Sequence, residues 1–169
     1  MDKEALSAVK LALSLEREES DYYRLAADKT QNQSGKKVFT LLAEEEEKHL
    51  EALKKQIESV EGKNTWLSDE ELFDKLVCKT LKRTDPEGII PDSAESDTDG
   101  VEALEKAIEI EKKSIEFYEQ VACDIKHDSA SKMFHFLIES EKEHLRELEI
   151  QLTFLSSQGI WYDNELVFS

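Results

Sequence analysis

The sequence predicts an all-α fold, a four-helix bundle made of two repeated helical hairpins. Three observations predict it. Only five of the 169 residues are glycine and two are proline, while Glu, Lys, Leu and Ala abound, which is the composition of long helices. Slid by 95 residues, the chain aligns with itself without a gap: Glu16 falls on Glu111, Tyr23 on Tyr118, Phe39 on Phe134, Glu46 on Glu141 and His49 on His144. Within each half, apolar residues recur every three or four positions, the stripe that a helix buries against its neighbours.

The first helix carries the stripe Leu6, Val9, Leu13, Glu16, Ser20, Tyr23, Ala27, and Asn32-Gln33-Ser34-Gly35 marks the hinge after it. The second carries Phe39, Leu42, Glu46, His49, Leu53, Gln56, Val60, with Gly62 expected as its C-terminal cap. A connector over about 62–98 follows, containing Pro86 and Pro91. Within it Ser68-Asp69-Glu70-Glu71 is a capping box that starts a short helix. The third helix carries Val101, Leu104, Ile108, Glu111, Ile115, Tyr118, Ala122. After a turn at Lys126-His127-Asp128-Ser129, the fourth carries Phe134, Leu137, Glu141, His144, Leu148, Gln151, Leu155. The tails repeat as well, Trp66 matching Trp161, Glu70 matching Glu165 and Phe73 matching Phe168. One domain over 1–169 is expected, with repeat 1 over about 1–75 and repeat 2 over about 96–169. A connector that long is expected to cross the bundle from end to end.

Composition excludes several classes of partner. A net charge of −17 repels nucleic acid and anionic lipid. No apolar run approaches the roughly 20 residues of a membrane span. Met1-Asp2-Lys3-Glu4 lacks the apolar stretch of a signal peptide. Cys78 and Cys123 form neither a metal motif nor a disulfide framework. Together these point to the cytoplasm.

The stripes carry acids where a core wants leucine. Burying a carboxylate costs several kcal/mol unless it is paired or bound to metal, and no Lys or Arg shares the stripe. Two divalent ions bring four positive charges, which balance Glu16, Glu46, Glu111 and Glu141 and leave His49 and His144 neutral. Glu46 and His49 are three residues apart, as are Glu141 and His144, so each pair projects from one helix face. In each hairpin the upstream glutamate lies level with that pair. Carboxylate oxygen with imidazole nitrogen suits iron, manganese or zinc.

These residues resemble the ferritin-like di-iron carboxylate proteins, whose inward Glu and Glu-x-x-His arrangement they share. Within that group the stretches Ala107-Ile108-Glu109-Ile110-Glu111 through Phe117-Tyr118, and Leu42 through Leu50, are most similar to the rubrerythrin family. The resemblance implies two iron ions, with Glu46 and Glu141 bridging, Glu16 and Glu111 as terminal ligands, and His49 and His144 each giving a nitrogen. It implies reduction of hydrogen peroxide, or of dioxygen, with electrons from a separate donor protein. Two departures stand out. The four-cysteine rubredoxin domain of full-length rubrerythrins has no counterpart in this chain, so the donor must be external. The extra glutamate that the family tends to carry one turn beyond the third-helix ligand is Ser114 here, and the mirrored position is Glu19. Glu19 is thus either a seventh ligand or a surface acid beside the stripe.

Tyr23 and Tyr118 lie two turns from Glu16 and Glu111 and are expected to orient the ligand carboxylates from behind. Tyr22, off the stripe, is expected to pack. His127 and His135 read as surface residues, Glu44, Glu45 and Glu47 as a solvated face, and Trp66 and Trp161 as caps on the bundle ends. Two other functions fit the same stripe, a ferroxidase or iron-handling protein and a metal-stabilised bundle without enzymatic activity. Against iron storage, the Trp161-Tyr162-Asp163-Asn164 tail does not look like a cage-closing helix. A homodimer is expected, with exchange of hairpins through the long connector open to it.

Overall fold

The computed structural model describes residues 2–73 and 98–162. Among them lie five helices: α1 (Lys3–Lys29), α2 (Gln33–Lys63), α3 (Asp69–Phe73), α4 (Thr98–Asp124) and α5 (Asp128–Gln158). The four long helices are those the stripes predict. None of the described helices is long and apolar enough to cross a membrane.

Capping sets their ends. The Asp2 carboxylate accepts from the Ala5 amide and starts α1. The Asn32 side chain accepts from the Ser34 and Gly35 amides, so Gln33–Gly35 are already the first turn of α2. Lys126 and His127 make the second turn, and Asp128 and Ser129 belong to α5. The Gly62 expectation fails. α2 runs through Gly62 to Lys63, and Asn64 takes the left-handed conformation (φ 52°) that ends it, one of the few non-glycine residues to tolerate that geometry. Gly159 (φ 68°) ends α5 at the equivalent place in the second repeat. Ser68 and Glu71 exchange the reciprocal bonds of a capping box ahead of α3, as expected.

α1 packs on α2 and α4 on α5, giving two antiparallel hairpins. The hairpins join through α1 and α4, which are also antiparallel: the hydroxyl of Tyr22 donates to the Ala103 carbonyl (2.8 Å), and that of Tyr118, near the other end of α4, to Glu16 (2.5 Å). Tyr22 therefore does more than pack. With α2 and α4 both antiparallel to α1, the end of α2 and the start of α4 lie at opposite ends of the bundle. The rest of the connector, residues 74–97 with Cys78, Pro86 and Pro91, falls outside the described residues, and so does any exchange of hairpins through it. Residues 163–169, including Glu165 and Phe168, fall outside them too.

Two apolar clusters fill the interior. One gathers Tyr23, Phe39, Leu42, Leu104, Leu148 and Trp161; the other gathers Val9, Leu53, Tyr118, Phe134 and Leu137, with Trp66 against it. Burying each large side chain contributes about 1.5–3 kcal/mol. The tryptophans close opposite ends. Trp161 fits because position 35 is glycine: a Cβ there would lie 2.5 Å from the indole ring. Trp66 lies against the imidazole of His127, with ring centroids 4.4 Å apart, so His127 is half-buried rather than on the surface; His135 is exposed as expected. Each tail is tied by a stripe glutamine. Gln56 Oε1 accepts from the Leu67 amide (3.1 Å), and Gln151 Oε1 accepts from the Tyr162 amide (2.9 Å), one residue after each tryptophan.

Candidate metal centre

Between the two apolar clusters lies a polar belt. α1 brings Glu16 and Glu19, α2 brings Glu46 and His49, α4 brings Glu111, and α5 brings Glu141 and His144; all seven are buried. Two groups of four have ligand atoms mutually close enough to hold one ion each: Glu16, Glu46, His49 and Glu141, and Glu46, Glu111, Glu141 and His144. The groups share Glu46 and Glu141. All six residues that the repeated stripe singles out are therefore brought together.

The two shared glutamates divide their oxygens between the histidines. His49 Nδ1 lies 3.0 Å from Glu46 Oε2 and 3.3 Å from Glu141 Oε1, while His144 Nδ1 lies 2.9 Å from Glu46 Oε1 and 2.9 Å from Glu141 Oε2. Each histidine also faces its own hairpin's upstream glutamate, His49 at 3.0 Å from Glu16 Oε2 and His144 at 3.6 Å from Glu111 Oε1. The imidazole centroids are 5.7 Å apart.

Hydrogen bonding within the protein cannot satisfy this many acceptors. One Nδ1 offers at most one proton, yet three carboxylates surround each. Glu46 Oε1, Glu111 Oε2 and Glu141 Oε1 are buried without a hydrogen bond. Glu46 Oε1 is within reach of His144 Nδ1 but outside hydrogen-bonding geometry, so it counts as orphaned. Orphaned buried oxygens demand an explanation, and a cation at the centre of each group supplies one for all of them. The donor set of carboxylate oxygens and imidazole nitrogen fits a pair of first-row divalent ions.

The electrostatics show the strain of the bare cluster. Burial, reinforced by Glu141, pushes the Glu111 carboxyl well above its usual range, with His144 pulling the other way. Burial alone would lower the pKa of both histidines, but the carboxylates outweigh it, chiefly Glu16 and Glu141 at His49 and Glu46 at His144, and both are raised well above 6.5. For Glu141, burial and Glu46 push upward, yet His49 and His144 prevail and hold it low. The bare site therefore keeps protons where an ion would sit.

The tyrosines reach across the repeat. Tyr23 of α1 donates to Glu111 Oε1 of α4, and Tyr118 of α4 donates to Glu16 Oε1 of α1. Each satisfies one oxygen of an upstream glutamate on the opposite hairpin, a bond whose loss in the core costs about 1–3 kcal/mol. Burial first, and then the nearby glutamates, push both phenols well above 10, so both keep their protons.

Glu19 is buried, which overturns the surface alternative. Its Oε1 accepts from Ser114, its symmetry mate 95 residues on, and its Oε2 has no partner. Burial, then Glu16, raises its pKa well above 4.5. It lies outside both four-residue groups. Two polar residues escaped the sequence reading. Ser140 Oγ meets His49 Nε2 at 2.9 Å. Glu147 is buried and accepts from Gln151 (2.8 Å). Neither occupies a stripe position of the repeat, so periodicity had no means of marking them. Cys123 is exposed, and Glu44, Glu45 and Glu47 lie on the outer face as expected, the last two paired with Lys48 and Arg24.

No curated protein and no solved structure matches the chain. The family model described as Rubrerythrin matches residues 7–150, a span that contains every residue of the belt. The bundle, the doubled carboxylate–histidine cluster and this match agree, and the chain belongs to the rubrerythrin family.

Proposed function

We propose that the chain is a non-haem di-iron oxidoreductase that reduces hydrogen peroxide to water with electrons from a separate donor protein. The observation that carries the reading is the splitting of Glu46 and Glu141, each with one oxygen toward His49 and the other toward His144. That is the arrangement two bridging carboxylates need. Glu16 and His49 would complete one half-site and Glu111 and His144 the other. Two bound ferrous ions would supply the two electrons that cleavage of one O–O bond consumes.

The protein's own part is positioning and charge balance. Tyr118 and Tyr23 hold Oε1 of Glu16 and of Glu111 respectively, leaving Oε2 of each for metal. Four carboxylates offset four positive charges and leave the imidazoles neutral. Glu19 adds a fifth carboxylate on the α1 side, with Oε2 unpaired. Manganese or zinc suits the same donors, but zinc has no redox chemistry to offer.

The test is reoxidation. Protein loaded with iron and reduced without air is expected to return to the ferric absorbance on adding peroxide, much faster than in buffer alone. Reoxidation by dioxygen with no response to peroxide would point to iron handling, and no response to either would remove the oxidoreductase reading.

A further inference from the structure

The repeat places the same three candidate ligands in each hairpin but does not treat the two histidines alike. His49 Nε2 is 2.9 Å from Ser140 Oγ, and the Phe136 ring stands edge-on to the imidazole with centroids 6.4 Å apart. The symmetry-related positions hold Glu45 and Leu41. Ser140 is 3% exposed, whereas the Glu45 side chain is 35% exposed and paired with Lys48. Among the described residues the hydrogen bond of His144 is made by Nδ1, to Glu141, and none by Nε2 to a serine, and His144 is 6% exposed against 2% for His49.

The serine's orientation is not the default for a helix. Hydroxyls inside helices usually turn back to the carbonyl four residues earlier. Ser14, Thr40, Thr153 and Ser157 all do so here. The Ser140 hydroxyl instead meets an imidazole on another helix.

We propose that Ser140 is a positioning residue: it holds the Nε2–H of His49, so that Nδ1 carries the free lone pair facing Glu16, Glu46 and Glu141, and that half-site binds its ion more tightly than the one built on His144. When an ion displaces the Nδ1 proton, the proton left on Nε2 is held by Ser140 at His49, whereas at His144 it has no such side-chain partner among the described residues. The inference rests on the two-metal reading above.

Calorimetric titration of the metal-free protein with zinc tests it without relying on turnover. Two equivalents are expected in a tighter and a weaker step. Ser140→Ala should weaken the tighter step about tenfold or more and spare the other, while Ser140→Thr, which keeps the hydroxyl, should restore it. Two identical wild-type steps, an unchanged Ser140→Ala titration, equal weakening of both steps, or a loss that Ser140→Thr does not reverse would each overturn the positioning role while leaving two bound ions. A wild type that binds no zinc would overturn the two-metal reading with it.

Discussion

Removing Glu46 and Glu141 together is expected to abolish metal binding and, in the metal-free protein, to raise stability. Both glutamates belong to both four-residue groups, so neither half-site keeps enough ligands without them. Glu16 and Glu111 belong to one group each, and Glu16→Ala or Glu111→Ala should leave about one ion per chain. The gain in stability follows from the same burial. Glu46 Oε1 and Glu141 Oε1 are orphaned in the core, and with no ion present the carboxylates repel one another. Replacing buried ion pairs with apolar side chains of similar volume is often stabilising by about 1–4 kcal/mol, and His49 and His144 keep Glu16 and Glu111 as partners in the variant. The Glu46→Leu/Glu141→Leu protein should therefore unfold at higher urea than chelated wild type while retaining no iron. Lower stability in the variant would mean that the bare cluster supports the fold.

The chelated protein should lose stability as pH rises, and the loaded protein should bind its ions more tightly over the same range. Glu19 and Glu111 are raised above 4.5, and His49 and His144 above 6.5. All four hold protons in the folded bundle at pH values where the unfolded chain has released them. Their contribution is complete below the unfolded pKa values and is lost as pH climbs through the folded ones. Loss begins above 4.5 with the carboxyls and steepens above 6.5 with the histidines. Glu141, held low, acts in the opposite sense but only below 4.5. Each proton taken up on folding gives a slope of about 1.4 kcal/mol per pH unit, or roughly 3–6 °C in the melting temperature of a chain this size. Thermal melts in chelator at pH 5.5 and 8 would show it. Metal reverses the trend because ions and protons compete for the same oxygens and nitrogens. A flat or rising chelated profile would contradict the shifts.

The helices, their pairing and the six belt residues were legible because periodicity and the 95-residue repeat mark them twice. What escaped depends on register between helices or on single caps. That Tyr23 serves Glu111 and Tyr118 serves Glu16, rather than each serving its own helix, follows from the antiparallel contact of α1 with α4, which no one-helix pattern contains. Glu147 is buried, yet in sequence it looks like any acid on a Glu-rich helix, and Glu19 is marked only by its place opposite Ser114 in the repeat. Gly62 is the expected cap on residue type alone, whereas the repeat aligns Asn64 with Gly159 and so marks the true one. His127 is half-buried because the Trp66 ring folds onto it across the bundle end.

The metal content of the purified protein after iron reconstitution, read by mass spectrometry, is expected to be about two irons per chain, lost in Glu46→Ala/Glu141→Ala. No bound iron, or iron that survives in the double variant, would contradict the two-metal reading.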